Sequence, residues 1–275
     1  MSDTALPQTS ARNASPQVGA MIKTWRERRR RSQLDLALDA GVSTRHLSFV
    51  ETGRSRPSRE MVLRLAEELQ TPLRARNALL LAAGYAPAYA ERALDGPELA
   101  GVRRAIDLVL AGHEPFPALV VDKGWRLVAA NRALPPLLAG AAPHLLEPPV
   151  NVLRLSLHPE GLGPRIANFN EWRAHILERL RSQAEATADP ELTALMEELA
   201  GYPAPPDARP ADLGAYGGLA VPLQIRTRSM GLVSFFSTTM VFGTPRDITL
   251  SELALETFLP ADAATAEALR RLAPA

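Results

Sequence analysis

Apolar positions in the first third of the chain recur with helical spacing. Val18, Met21, Ile22 and Trp25 form one face of period 3.6 that runs into "RERRRR". Ser32 is a preferred N-cap residue and opens "QLDLALDA", whose Leu34, Leu36, Ala37 and Ala40 are predicted to face inward. Gly41 follows, where a helix ending in the left-handed region needs no Cβ, and Val42 pins the turn. Ser43 caps "TRHLSFVET", with Leu47 and Val50 inward and Thr44, Arg45, His46, Ser48 and Phe49 on other faces. Gly53 ends that helix. Ser58 caps a fourth helix, with Met61, Val62, Leu65 and Ala66 on one side, and Pro72 opens a fifth, "PLRARNALLLAAG".

Beyond Tyr85 the pattern changes. "GYAPAYAERALDGPELAG" is rich in Gly, Pro and Ala and marks a junction, with a linker over 86–99. After the helical "LAGVRRAIDLVLAG" come "ALVVD" and "WRLVAAN", β-prone runs around Lys123-Gly124 that predict a hairpin. Asn131 is expected to begin a helix, "NRALPPLL", and residues 151–200 to be helical, with Trp172, Ile176, Leu177 and Leu180 as a buried face. "LAVPLQIR", "GLVSFFSTTMVF" and "ITLSELALETFLP" predict three further strands, and "DAATAEALRRLA" a closing helix. The fold class is therefore α+β: an all-α front domain over 18–85, then a mixed domain over 100–275 with helices on an antiparallel sheet.

Charge separates the same two parts. Residues 1–90 carry 14 Lys+Arg and 8 Asp+Glu, a balance of +6, while the other 185 carry 17 and 22, a balance of −5. A basic front on a slightly acidic body points to a polyanion meeting the front alone. The second and third helices, joined through Gly41, form a helix-turn-helix, and the third is placed to enter a major groove. Its exposed polar residues can read bases, while Arg54 and Arg56 can hold phosphates. "RERRRR" reads as a solvated face.

"SQLDLALDAGVSTRHLSFVETGRSRPS" resembles the Xre-type family of phage-repressor-like regulators, over about residues 18–85. The resemblance implies that Gln33 contacts a phosphate or the first base pair, that Thr44 and Arg45 face bases, and that His46 and Ser48 add contacts beside the cap Ser43. It also implies an internal ion pair between Arg26 and Glu51. Phe49 either touches a thymine methyl or packs on the helix surface. "FPALVVDKGWRLVAANRA", "NVLRLSLHPEGLGPRIANFNEWR" and "DITLSELALETFLPAD" resemble the MmyB-like ligand-binding domain, a PAS-like fold. Together they imply a one-component, DNA-binding transcription regulator with an apolar pocket for a small lipophilic ligand such as a fatty acid. The expected partners are a two-fold double-stranded operator and a second copy of the chain. The alternative is a constitutive DNA-binding protein whose rear domain only dimerises.

Within the pocket, a carboxylate ligand would want a cation, and Arg165 is the first choice; the other reading bonds it to loop carbonyls. Trp172 either closes the pocket or fills the core, and Phe235 is a core residue that can line a cavity. No nucleophile elbow or glycine-rich phosphate loop occurs, so no catalytic residue, cofactor or enzyme activity is expected. Glu171, His175 and Glu178 share a helix face at i, i+4 and i+7, but one His with two carboxylates is a weak ligand set, and no metal is expected. His158 is expected to cap a turn. With no cysteine, no signal-like start and no long apolar run, the expected compartment is the cytoplasm and no membrane partner is implied. Residues 1–17 read as a disordered arm.

Overall fold

The computed structural model describes residues 14–212 and 220–272, so most of the expected arm lies outside the described residues. Its last residues, from Ala14, are the first turn of a helix. Two compact units emerge: residues up to Glu91 together with Pro245–Ser251, and Arg92–Thr244 together with the chain from Glu252.

The first unit is built from α1 (Ala14–Arg28), α2 (Gln33–Asp39), α3 (Thr44–Glu51), α4 (Arg59–Glu68) and α5 (Leu73–Ala82). Ser32, Ser43 and Ser58 each accept the backbone N–H three residues ahead, at 3.1–3.2 Å. Gly41 and Gly53 take φ of 63° and 73°, the left-handed ends that stop α2 and α3. Val18, Ile22, Leu36, Leu47, Leu65 and Leu80 meet in the core. Leu34, expected inward, is 64% exposed. At 100° per residue it lies about 110° from the centre of the Leu36–Ala37–Ala40 stripe, outside the buried arc.

The arginine run is part solvated face and part brace: Glu27, Arg28 and Arg30 are exposed, while Arg29 and Arg31 bond to the end of α4. Arg29 Nε donates to the Leu69 carbonyl at 2.9 Å, and Arg31 Nη1 to the Glu68 carbonyl at 3.2 Å. Both satisfy carbonyls that the end of α4 leaves without helical partners. Arg64 does the same for α2, through Ala40 O at 3.1 Å.

The second unit runs α6 (Ala100–Gly112), β1 (Ala118–Val121), β2 (Leu127–Ala130), α7 (Pro135–Leu138), α8 (Val152–Leu157), α9 (Phe169–Thr187), α10 (Pro190–Ala200), β3 (Leu223–Thr227) and β4 (Gly231–Met240). The chain then forms α11 (Ile248–Ser251), in the first unit, before β5 (Ala254–Pro260) and α12 (Ala263–Leu272). The segment around α11 is held in the first unit by the Ile248 N–H, which donates to Ala90 O at 2.8 Å, and by burial of Ile248 and Asp247. The sequence pattern merges this segment into the following strand; the structure separates the two.

The sheet is antiparallel, in the order β2-β1-β5-β4-β3. The β1–β2 bend is longer than the expected two residues. Asp122 Oδ1 accepts the N–H groups of Gly124 (2.8 Å) and Arg126 (2.9 Å), and Trp125 takes the left-handed conformation at φ 64°. That conformation turns the indole inward, where Nε1 donates to Gln183 Oε1 at 2.8 Å. Asn131 does not begin a helix. It is buried, accepting the Ala118 N–H and donating to the carbonyls of Phe116 and Leu110, so it ties β1 to the end of α6. Phe169, Trp172, Ile176 and Leu180 of α9 pack with Leu223, Val233 and Phe235 of the sheet. No described helix is long and apolar enough to cross a membrane.

Candidate nucleic-acid interface and cavity

α3 presents its N-terminal end outward. Ser43 and Arg45 are exposed, and Thr44, His46 and Ser48 are half-buried. The Arg45 guanidinium lies 5.4 Å from the Phe49 ring centroid, so Phe49 packs on the helix surface under the arginine. Behind this surface Glu51 receives Arg26 Nε at 2.7 Å and Nη2 at 3.0 Å, a buried two-pronged pair. Its charge holds the Arg26 pKa above the ordinary arginine value, chiefly through the hydrogen bonds. The ion pair implied by the sequence is therefore present.

Two of the residues expected at DNA also bond within the protein. Gln33 Nε2 donates to Glu51 Oε2 at 2.7 Å, which turns its amide toward the ion pair. Arg56 donates from Nε and Nη2 to Ala83 O at 3.2 and 2.8 Å, and lies 5.4 Å from the Tyr85 ring centroid. It caps α5. Arg54 and Arg56 are both exposed at the surface.

The second unit contains an apolar cavity that opens to solvent. Leu119, Leu137, Leu153, Ile176, Leu223 and Phe235 form much of its wall. Trp172 lines it too, with its indole N–H donating to Ser156 Oγ at 3.0 Å. Trp172 and Phe235 are thus brought together, and Arg165 is not with them. Arg165 donates to the carbonyls of Ala139 and Leu137, satisfying a loop as the second sequence reading had it, and does not line the cavity. Burial and the nearby Arg228 charge lower its pKa.

The cavity's polar residues are His175, Arg179, Glu256, Ser156 and Ser237, none of them proposed from sequence as ligand contacts. A signal for two of them existed. Arg179 follows Trp172 and His175 at i+7 and i+4, on the face already marked as buried. Glu256 is a carboxylate inside the apolar strand "ALETFLP", buried to 3% exposure. The suggested metal set is dispersed: Glu171 accepts the Asp212 N–H, Glu178 pairs with Arg181, and His175 lines the cavity. On the surface His144, His158 and Glu160 bring donor atoms within 4.8 Å of one another. There His158 Nδ1 already accepts the Glu160 N–H at 3.1 Å, the turn-capping role expected of it.

Residues 102–272 match the family described as the MmyB-like transcription regulator ligand binding domain, and residues 22–75 match the helix-turn-helix family. No curated protein matches the chain. Two crystal structures of the clp gene regulator ClgR from Corynebacterium glutamicum are similar at 25% and 22% identity. They cover 28% and 40% of this chain and 92% and 99% of their own, each with a TM-score of 0.23. An RNA-binding Light-Oxygen-Voltage receptor is similar at 14% identity over 98% of this chain and 69% of its own, with a TM-score of 0.25. These structural overlaps are too low to bear on fold or function; the two family matches carry the assignment. The chain belongs to the MmyB-like transcription regulators, joining a helix-turn-helix DNA-binding region to a ligand-binding domain.

Proposed function

We propose that this chain is a one-component regulator whose PAS-like second unit takes up a small lipophilic molecule of the fatty-acyl kind and thereby changes operator affinity. The observation that carries the reading is the apolar cavity of the ligand-binding unit, in a chain whose other unit exposes a recognition helix. Pockets of this kind gain affinity from apolar walls and orientation from a few polar groups.

At the DNA, Arg45 is assigned to a guanine edge, where a bidentate contact to O6 and N7 discriminates among base pairs. Ser43, Thr44, His46 and Ser48 flank it, and Arg54 holds a phosphate. Gln33 and Arg56 are assigned to supporting the helices, because their donors already serve Glu51 and Ala83. One eight-residue recognition helix reads few base pairs. A homodimer on a two-fold operator, with half-sites about 10 bp apart or a multiple of it, supplies the missing specificity.

A ligand acts only through unequal affinity for the two arrangements of the heads; a tenfold preference shifts their balance by about 1.4 kcal/mol. The test is operator binding by fluorescence anisotropy, on a site selected from random DNA, before and after lipid extraction of the purified chain. Re-adding the extract should restore the original affinity. Identical affinity throughout, with native mass spectrometry showing no bound small molecule at any stage, would sink the proposal.

A further inference from the structure

The polar end of the cavity lies where α9 faces β4 and β5. Leu119, Glu256 and Thr239 sit side by side across β1, β5 and β4, and Ser237 pairs with Phe258 beside them. Arg179 reaches across from α9 and closes on Glu256 with two hydrogen bonds, Nη1 to Oε2 at 2.9 Å and Nη2 to Oε1 at 2.5 Å. Nη2 also donates to Thr239 Oγ1 at 2.6 Å, and that hydroxyl donates to Glu256 Oε1 at 2.9 Å. The guanidinium lies 4.5 Å from the Trp125 ring centroid. Both carboxylate oxygens are occupied, and the pair has no net charge.

The remaining polar groups are neutral. His175 stacks on Trp172 with centroids 5.4 Å apart, and among the described residues neither ring nitrogen has a hydrogen-bond partner. Burial, and then the Arg179 charge, lower its pKa against a smaller opposing effect of Glu256. The imidazole therefore offers one N–H and one lone pair at neutral pH. Ser156 accepts from Trp172 and keeps its own proton to donate. Ser237 offers a hydroxyl with no partner among the described residues. Among the described lining residues Arg179 is the one arginine or lysine.

A carboxylate entering this end meets no unpaired cation. It must either lie beside the buried Glu256 or pull Arg179, whose side chain is 31% exposed, away and leave Glu256 buried alone; the first costs like-charge repulsion and the second an unpaired buried charge. We infer that the ligand's polar end is uncharged, a hydroxyl or a ketone, ester or lactone carbonyl met by His175, Ser156 and Ser237, and that the Arg179–Glu256 pair rejects free carboxylic acids. This rests on the lipophilic-ligand reading above and narrows the fatty-acyl class to its neutral members.

The experiment compares octanoate, decanoate and dodecanoate with the corresponding primary alcohols and methyl esters. Each is titrated at neutral pH into the full chain, followed by thermal stabilisation and by tryptophan fluorescence, since Trp125 and Trp172 line the cavity. The alcohols or esters should bind at least about tenfold more tightly than acids of equal chain length, the discrimination expected when one ligand must face a like charge. Glu256→Gln frees Arg179 of its countercharge and should close that gap by strengthening the acids relative to the alcohols. Acids binding the wild-type chain as tightly as the alcohols, or more tightly, overturns this inference and leaves the lipophilic cavity standing. Binding of neither class overturns the lipophilic-ligand reading itself. The wild-type comparison decides the matter even if the Gln variant fails to fold.

Discussion

Removal of the Glu51 carboxylate should almost unfold the DNA-binding head without altering Arg45 or Arg54, two of the residues proposed to meet DNA. The Glu51 side chain is 1% exposed and that of Arg26 10%. Three hydrogen bonds end on the carboxylate, from Arg26 Nε (2.7 Å), Arg26 Nη2 (3.0 Å) and Gln33 Nε2 (2.7 Å). Glu51→Ala strands a buried guanidinium whose remaining partners are Arg31 O, 2.8 Å from Nη1, and the exposed Glu27 carboxylate, 3.8 Å from Nη2. Breaking a buried pair from one side costs roughly 3–5 kcal/mol. Small domains have about 5–15 kcal/mol in all, and one of this size sits toward the lower end, so the loss consumes most of the head's stability. Arg26→Met with Glu51→Leu leaves no buried charge and should recover much of it, with a coupling of at least about 1.5 kcal/mol in the double-mutant cycle. Amide hydrogen exchange across α1–α3 in the full chain measures this directly, with urea unfolding by circular dichroism as a second readout. A loss below about 1 kcal/mol for Glu51→Ala, or simple additivity in the double variant, would refute the reasoning.

Further expectations follow from single contacts. Arg45→Ala should cost roughly 1–3 kcal/mol at one base position and relax preference there, and equal loss on random DNA would reject its base-reading role. Arg54→Ala should weaken binding to all sequences and lower the salt slope by about one, whereas Arg56→Ala should leave the slope alone and destabilise the head by about 1 kcal/mol. A Cβ on Gly19 would lie 2.1 Å from the Val50 carbonyl oxygen, where α1 crosses α3. Gly19→Ala should therefore cost about 1–3 kcal/mol or more, and an unchanged melting temperature would show that the two helices can part freely. His175 has a folded-state pKa below its usual 6.5, so the unfolded chain binds more protons. Stability of the second unit should fall as pH drops through about 6.5 and keep falling down to the folded-state value, and His175→Gln should flatten that slope in urea midpoints.

Features decided within about four residues were legible in the chain itself. The Ser32, Ser43 and Ser58 caps, the left-handed Gly41 and Gly53, and the amphipathic faces of α1, α4 and α9 follow from hydrogen bonds and periodicities that local sequence contains. Arg26 and Glu51 are 25 positions apart, and their pairing was available through family resemblance alone. The pairing that sets the cavity's chemistry was not legible. Arg165 and Arg179 look equally able to meet a ligand in sequence, yet one is drawn to the loop carbonyls of Leu137 and Ala139 and the other to Glu256, 77 positions away. That outcome depends on β5 lying between β1 and β4, which sets Glu256 beneath α9, and on which polar groups each arginine meets once buried. Strand order and long-range partners decide where a charge is neutralised, because a buried ion settles on whatever countercharge or carbonyl the tertiary packing brings within reach.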